Sequence, residues 1–294
     1  MKMKKIKVGI IGTGNIGSDL LVKVLRSELL ECGIFTGQHP DSEGIKRAKA
    51  LGVKTSFKSI RAIIDNPNLC DIVFDATSAQ GHLYNAPILK KLKKFVIDMT
   101  PSRIGKMCIP IINLDKSLKE ANINMVSCGG QATTPIAQAI MKVHPETKYI
   151  EIVSSISSKS AGIGTRDNID EYTQTTSEGI KYFSKVPHAK AIVILNPADP
   201  PILMHNTIYA KIKKPKLDLL TSEIKKVVKK IQEYVPGYKL VLDPVFADGR
   251  LTTMIEVVGL GDYLPVYAGN LDIINCAAIA VAEKYALRKL KIKK

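Results

Sequence analysis

Ser127-Cys128-Gly129-Gly130-Gln131-Ala132-Thr133-Thr134-Pro135 is the stretch best equipped for covalent chemistry. A strand-like run, Ile123 to Val126, delivers Cys128 to a turn, where two glycines permit backbone conformations that side chains forbid. Thr133 or Thr134 then caps a helix whose first turn holds Pro135, and Ile136, Ile140 and Val143 mark its buried stripe. A thiol just ahead of a helix N-terminus meets unpaired N–H groups and the positive end of the macrodipole. Such a site predicts a lowered pKa and a nucleophilic thiolate. The bland alternative is that Cys128 is a small buried hydrophobe.

A second constellation is Gly12-Thr13-Gly14-Asn15-Ile16-Gly17. It follows the apolar strand Lys7 to Ile11 and precedes a helix through Leu20, Leu21, Val24 and Leu25 to about Leu30. In that setting the glycines give a tight turn, room for a pyrophosphate and close helix–strand packing, with phosphates at the helix N-terminus. This predicts dinucleotide binding. After the next strand, Cys32 to Thr36, comes Gly37-Gln38-His39-Pro40-Asp41-Ser42, without an early acid for a ribose 2′-hydroxyl. Asp41 is within reach, but Lys46 and Arg47 are also near, so NAD against NADP stays open.

The elements that must position these residues follow a doubly wound rhythm. Helices are predicted over Glu43 to Leu51 and Ser59 to Asp65, and strands over Ile72 to Asp75 and Phe95 to Asp98. Thr77 and Ser78, after the first of those strands, stand at a ligand-binding edge or cap the next helix. Beyond Cys128 the pattern changes. Strands are predicted at Tyr149 to Ser155, Ala191 to Leu195, Thr207 to Lys213 and Leu251 to Val258, with a helix over Asp167 to Phe183. Ser157 to Arg166 is a small-residue loop with two cations, suited to phosphate or a close backbone approach. The predicted fold is α/β: a Rossmann doubly wound parallel sheet over residues 1–130, an α+β domain over 131–268, and a C-terminal helix in 269–294 returning to the first domain.

Composition narrows the class. Of 294 residues, 45% are hydrophobic, enough for a large core, and no apolar run approaches the ~20 residues that cross a bilayer. Basic residues at the start lead into a strand with glycines, not a signal h-region, so a cytoplasmic protein is expected. Five cysteines without a C-x-x-C pair argue against a disulfide framework or a structural zinc, and no metal-ligand cluster is visible. Cys32, Cys70, Cys108 and Cys276 read as core. The net charge of +16 raises nucleic-acid binding, but the lysines are dispersed and aromatics are 5%. In Ser222 to Tyr234, Ile224, Val227, Val228 and Ile231 form one stripe, while Lys225, Lys226, Lys229 and Lys230 cover the solvent side.

The chain resembles the acylating, CoA-dependent acetaldehyde dehydrogenases that partner a 4-hydroxy-2-oxovalerate aldolase. The resemblance runs from Val8 to about Ala282, on Gly12–Gly17, Asp75-Ala76-Thr77-Ser78, Asn124–Thr133, Ser157–Gly162 and Gly164-Thr165-Arg166. It continues through Asn168-Ile169-Asp170-Glu171, Asn196-Pro197-Ala198, Val235-Pro236-Gly237-Tyr238, Asp262–Pro265 and Tyr267–Asp272. It implies that Cys128 carries an acyl-thioester. It also implies that Thr13, Gly14, Asn15 and Ile16 bind NAD with Ser160, Ala161, Gly162, Ile163, Gly164, Thr165, Arg166, Asp167, Asn168 and Asn270. Ile192 matches a position lining the aldehyde pocket, and the second domain would be catalytic and dimerising.

Three positions depart from that pattern. The family's aspartate, which helps activate the thiol, falls on Asn206, preceded by His205. An amide cannot take a proton, so the base is either His205 or none. The Leu242 to Arg250 segment is short where the family has an insertion, and the acid after the second strand falls on His39.

The implied reaction is addition of the Cys128 thiolate to a short aldehyde. The alkoxide is stabilised by backbone donors and the Asn168 amide, hydride passes to the nicotinamide, and the acyl group passes to CoA. The implied partners are a second copy of the chain and an aldolase, with no nucleic acid and no membrane. The alternatives are a phosphorylating semialdehyde dehydrogenase or acyl-phosphate reductase of similar architecture, and a Rossmann-type redox sensor or nucleic-acid binder.

Overall fold

The structure, a computed structural model, describes residues 4–292, with Ile163 and Gly164 described by their backbone alone. The chain divides into two compact units: one holds the chain up to Met125 and from Asn275 onward, the other holds Val126–Ile274.

The first unit contains strands β1 (Ile6–Ile11), β2 (Leu30–Thr36), β3 (Thr55–Ser56), β4 (Ile72–Asp75), β5 (Phe95–Asp98), β6 (Lys106–Met107) and β7 (Asn122–Asn124). Its helices are α1 (Asn15–Arg26), α2 (Glu43–Ala50), α3 (Arg61–Asp65), α4 (Ala79–Lys91) and α5 (Pro110–Ser117). The strands form one parallel sheet in the order β3-β2-β1-β4-β5-β7-β6. Every residue of β4 and β5 is buried, as helices covering both faces of a parallel sheet require.

Helix α1 ends at Arg26 and not near Leu30. Ser27 leaves it in an extended conformation, and Leu29 and Leu30, which prolong the apolar pattern past Arg26-Ser27-Glu28, belong to the approach to β2 and its first residue. The two-residue strands β3 and β6 are too short to carry a period, and α5 starts in the short apolar run Ile109 to Ile112, which by itself carries no helical period. From Asn275 the C-terminal helix (Gly269–Leu290) lies in this unit. Asn275 Nδ2 donates to Asp19 Oδ2 at 2.7 Å and to the Ile16 carbonyl at 3.2 Å, and Tyr285 stacks on Phe95 at 3.9 Å between centroids.

The second unit contains α6 (Cys128–Val143), β8 (Tyr149–Ser157), α7 (Ile163–Arg166), α8 (Ile169–Ser184), β9 (His188–Asn196), β10 (Met204–Lys211), α9 (Leu217–Gln232), β11 (Tyr238–Ala247) and β12 (Arg250–Val257). Its sheet runs β11-β12-β10-β8-β9, antiparallel except for β8 with β9. Along β8, Ile150, Ile152, Ser154 and Ile156 are buried, while Tyr149, Glu151, Val153 and Ser155 are half-buried. Strand alternation thus gives the sheet a covered face and an opener one.

In α9, Leu220, Ile224, Val228 and Ile231 are buried, and Lys225, Lys226, Lys229 and Lys230 are exposed, so this cluster of the positive charge is a solvated face. Leu242 to Arg250 forms part of a β11–β12 hairpin. Asp248 and Gly249 turn it with φ of 51° and 74°, both positive as a type I′ turn demands.

Candidate active site

The chain leaves β7 and reverses at Val126, whose φ of 63° is in the left-handed region that branched residues avoid. Strain of this kind costs on the order of 1–3 kcal/mol and persists only where the surroundings impose it. Ser127 follows as the N-cap of α6, its Oγ accepting the Gly130 N–H at 2.9 Å and hydrogen-bonded to Thr176 Oγ1 at 2.6 Å.

The helix therefore begins at Cys128 itself, not after Thr133 or Thr134, and Pro135 lies inside it. Thr133 instead donates its hydroxyl to the Gly129 carbonyl at 2.7 Å. The paired glycines do not make the turn; they allow close packing. A Cβ on Gly129 would stand 2.3 Å from Tyr172 Oη, and one on Gly130 would stand 2.7 Å from Val126 Cγ1.

Cys128 is half-buried at the first helical position. Its Sγ lies 3.6 Å from Tyr172 Oη, which also accepts the Gly129 N–H at 3.1 Å. Tyr172 in turn contacts Ser154, whose Oγ donates to Asn206 Oδ1 at 2.6 Å. Burial pushes the Cys128 thiol above its ordinary value, against the downward pull of Tyr172 and the Gly129 and Cys128 N–H groups. The acidity expected from the helix N-terminus alone is thus reversed by desolvation, which spacing does not reveal.

Asn206 is fully buried, while His205 is 36% exposed at its side chain and sits 3.0 Å from Glu256. Strand alternation sends the two to opposite faces, and the thiol network lies on the Asn206 side. Any thiol-dependent activity should accordingly stay within a few fold of the unmodified protein's in His205→Ala across the pH range. A hundredfold loss with the fold retained would make His205 the base.

Ile192 pairs with Val153, next to the Ser154–Val193 and Asn206–Ser154 pairs. Register partners share a face, so Ile192 lies on the opener side with Val153 and is not brought to the thiol network. Arg166, expected to face a phosphate, donates to the Ser158 carbonyl at 2.9 Å, to Ser158 Oγ at 2.8 Å and to the Ala161 carbonyl at 3.1 Å. It closes its own loop, whose Ser160 Oγ is tied to the Ser157 carbonyl at 2.8 Å. Lys159 pairs with Asp199 at 3.2 Å. Thr165 and Asn168 are half-buried and Asp167 is exposed, whereas the expected contacts of Ile163 and Gly164 lie outside what the structure describes. Asn270 is 1% exposed, and its Oδ1 has no hydrogen-bond partner among the described residues.

In the first unit the three glycines of the β1–α1 turn do different work. Gly12 has φ of 116°, and a Cβ there would meet the Ala76 carbonyl oxygen at 2.3 Å. A Cβ on Gly17 would stand 1.9 Å from the Gly12 carbonyl oxygen. Around Gly14, the N-cap of α1, nothing lies within 4 Å of the same point. That space, at a helix N-terminus between Thr13 and the exposed Asn15, fits a pyrophosphate approaching the backbone. Past β2, His39 and Asp41 are exposed, and Ser42 caps α2 while donating to Thr13 Oγ1 at 3.1 Å.

The carboxyl ends of β4 and β5 hold a buried network that joins residues no local spacing groups together. His82 lies 2.9 Å from Asp75 Oδ2 and 3.5 Å from Asp98 Oδ2. Burial pulls His82 down, but its Asp75 hydrogen bond and the charges of Asp98 and Asp75 outweigh that and hold it above its ordinary value. Burial also pushes Asp98 up to about 6. Asp75 receives the Thr77 hydroxyl and Asp98 the Ser102 hydroxyl at 2.6 Å, so the network fixes the loops that leave the sheet's carboxyl edge. Ser78 caps α4 through the Gly81 N–H. Among the other cysteines Cys70, Cys108 and Cys276 are buried and Cys32 is half-buried.

Together these features describe a two-unit protein with a dinucleotide-type turn in one unit and a thiol at a strained helix start in the other. Solved structures share the fold. Aspartate semialdehyde dehydrogenase II of Vibrio cholerae, complexed with ASA, superposes with a TM-score of 0.63 at 13% identity, over 97% of this chain and 99% of that one. Aspartate semialdehyde dehydrogenase of Candida albicans, with NADP, gives 0.66 at 10%, over 99% and 100%.

The closer kinship is in sequence. Residues 128–265 match the family described as prokaryotic acetaldehyde dehydrogenase, dimerisation. The acetaldehyde dehydrogenase of Pectobacterium atrosepticum is 55% identical over 95% of both chains, and that of Spirochaeta aurantia 51% over 96% of this chain and 95% of its own. The chain belongs to the acetaldehyde dehydrogenase family. A stand-alone redox sensor or nucleic-acid binder falls away, and no described helix is long and apolar enough to cross a membrane.

Proposed function

We propose that the chain is an acylating acetaldehyde dehydrogenase that works through a thioester on Cys128, with a nicotinamide cofactor and coenzyme A. The observation that carries this is the half-buried thiol at the start of α6, set against the Gly129 N–H and Tyr172 Oη. A nucleophile needs access, a fixed attack direction and donors for the charge that develops beside it.

In this reading the Cys128 thiolate adds to the aldehyde carbonyl and forms a carbon–sulfur bond, leaving an alkoxide that backbone N–H donors at the helix start stabilise. The bound nicotinamide supplies a hydride acceptor. As the carbonyl re-forms, Cys128 holds a thioester. A CoA thiolate takes the acyl group and Cys128 is released as thiolate, and every step reverses. The turn that fits a pyrophosphate and the thiol belong to different units.

The space at Gly14 and the unpartnered Asn270 Oδ1 support cofactor contacts at Thr13 to Ile16 and at Asn270. Contacts from Ser160 to Asn168 rest on the family resemblance. NAD is our choice on the same ground; with His39 and Asp41 exposed after β2, the kcat/KM ratio of NAD to NADP tests it, and a large NADP preference overturns it. The opener face of the second sheet, with Val153, Ile192 and Met254 half-buried and Ile194 44% exposed, supports a homodimer within a family whose description names dimerisation. An aldolase partner and a cytoplasmic place rest on the resemblance.

The test is reduced-cofactor formation from acetaldehyde with CoA, with phosphate, or with neither. CoA-dependent turnover is expected. Turnover that requires phosphate would instead assign the phosphorylating chemistry of the alternative.

A further inference from the structure

Cys128 is linked to a run of groups that ends in a buried amide. Tyr172 Oη touches Sγ at 3.6 Å, Ser154 Oγ contacts Tyr172, and Ser154 lies 2.6 Å from Asn206. The run is enclosed: Tyr172 is 8% exposed, and Ser154 and Asn206 are 0% exposed. At its far end Asn206 Nδ2 has no hydrogen-bond partner among the described residues.

A hydroxyl offers one proton and accepts others, and an amide offers an oxygen on one side and N–H on the other. The run therefore has two self-consistent directions. In the first, the thiol donates to Tyr172, Tyr172 to Ser154, and Ser154 to Asn206 Oδ1. In the second, Asn206 turns its Nδ2 toward Ser154, Ser154 donates to Tyr172, and Tyr172 donates to the sulfur. The second direction suits an anionic sulfur.

We propose that Tyr172 is a further catalytic residue, the hydrogen-bond donor to the Cys128 thiolate, and that Ser154 and Asn206 are positioning residues that reverse this chain when the thiol loses its proton. The proton goes to solvent. No member of the chain gains or loses one, because Asn206 has no site to hold it; each hydroxyl only rotates. A carboxylate at 206 would accept from Ser154 in every ionised state and hold the chain in the first direction.

Two facts fit this role. Burial, together with the neighbouring Cys128, holds the Tyr172 phenol well above its ordinary value, so it keeps the proton it must donate. Tyr172 is also the titratable side chain that the described residues place against Cys128 Sγ, with Ser154 and Asn206 uncharged behind it. A purely structural Tyr172 would fill space above Gly129 without affecting the ionisation of the thiol.

The proposal rests on Cys128 being the nucleophile, but its test needs no aldehyde, cofactor or CoA. The rate of alkylation of Cys128 by iodoacetamide is followed across pH by peptide mass, in the unmodified enzyme and in Tyr172→Phe and Ser154→Ala. The Tyr172→Phe midpoint should rise by about one unit, a tenfold loss of thiolate at fixed pH, with a smaller rise in Ser154→Ala. In turnover, kcat of Tyr172→Phe should fall with the KM for cofactor unchanged. An unchanged alkylation midpoint in folded Tyr172→Phe overturns the proposal. If that variant does not fold, an unchanged midpoint in Ser154→Ala, which leaves Tyr172 in place, overturns it equally. A shifted midpoint in an enzyme that shows no CoA-dependent turnover leaves this inference standing and removes the functional reading.

Discussion

Cys128→Ser should abolish turnover while the enzyme stays folded and binds its dinucleotide. The sulfur has to form and break a carbon bond in each cycle, and a serine hydroxyl in the same place stays protonated near neutral pH. The expected loss is about a thousandfold or more, the scale seen when a nucleophile is removed from a set of groups that act together. The change is nearly isosteric at a half-buried position, so the melting temperature should move by only a few degrees. Steady-state rates and a cofactor titration check the two halves. Retention of more than about a tenth of the rate would show that Cys128 does not carry the covalent step.

Gly14→Val should weaken dinucleotide binding by roughly 30-fold, about 2 kcal/mol, with the fold retained. The reason is local. The valine side chain finds open space in the protein itself, so what it fills is the room left for a ligand. The residue is also an N-cap, where glycine is better than valine, which adds a cost of about 1 kcal/mol to stability. Gly12→Ala and Gly17→Ala behave differently, because their added carbons would strike backbone oxygens at 2.3 and 1.9 Å. Those two variants should lose the fold and cofactor binding together. A Gly14→Val enzyme that binds dinucleotide normally, by isothermal titration, would remove the β1–α1 turn from the cofactor site.

The contrast among these three glycines also shows what could be read in advance. The strand–turn–helix pattern around Gly12–Gly17 is written in adjacent residues, and each glycine answers a local steric demand. Around Cys128 the same reasoning found the residue but not its geometry. It assigned the turn to Gly129 and Gly130 because glycine tolerates unusual φ, whereas the positive φ falls on Val126. The glycines instead answer Tyr172 and Val126, and the contact of Gly129 with Tyr172 joins residues 43 apart in the chain. No local pattern announces such a pair. Asn206 and His205 fall on opposite faces only once both lie in β10, which begins at Met204 and not at the expected Thr207. The Asp248-Gly249 hairpin was local and went unread.

The raised acidity threshold of the thiol has a kinetic consequence. Desolvation sets the resting Cys128 above its ordinary value, so thiolate grows with pH, and the rate of the acylation half-reaction should rise through a midpoint on the alkaline side of an ordinary thiol. A plateau already reached below neutral pH would mean that bound cofactor or substrate reverses this balance.

The central claim is an acyl group held on Cys128 and released to CoA. It is tested most directly by mass spectrometry of the enzyme incubated with acetyl-CoA, followed by peptide mapping. The expected result is an acetyl group on the peptide carrying Cys128, lost on adding free CoA or reduced cofactor and absent in Cys128→Ser. Turnover without any such adduct, or an adduct confined to another cysteine, would contradict it.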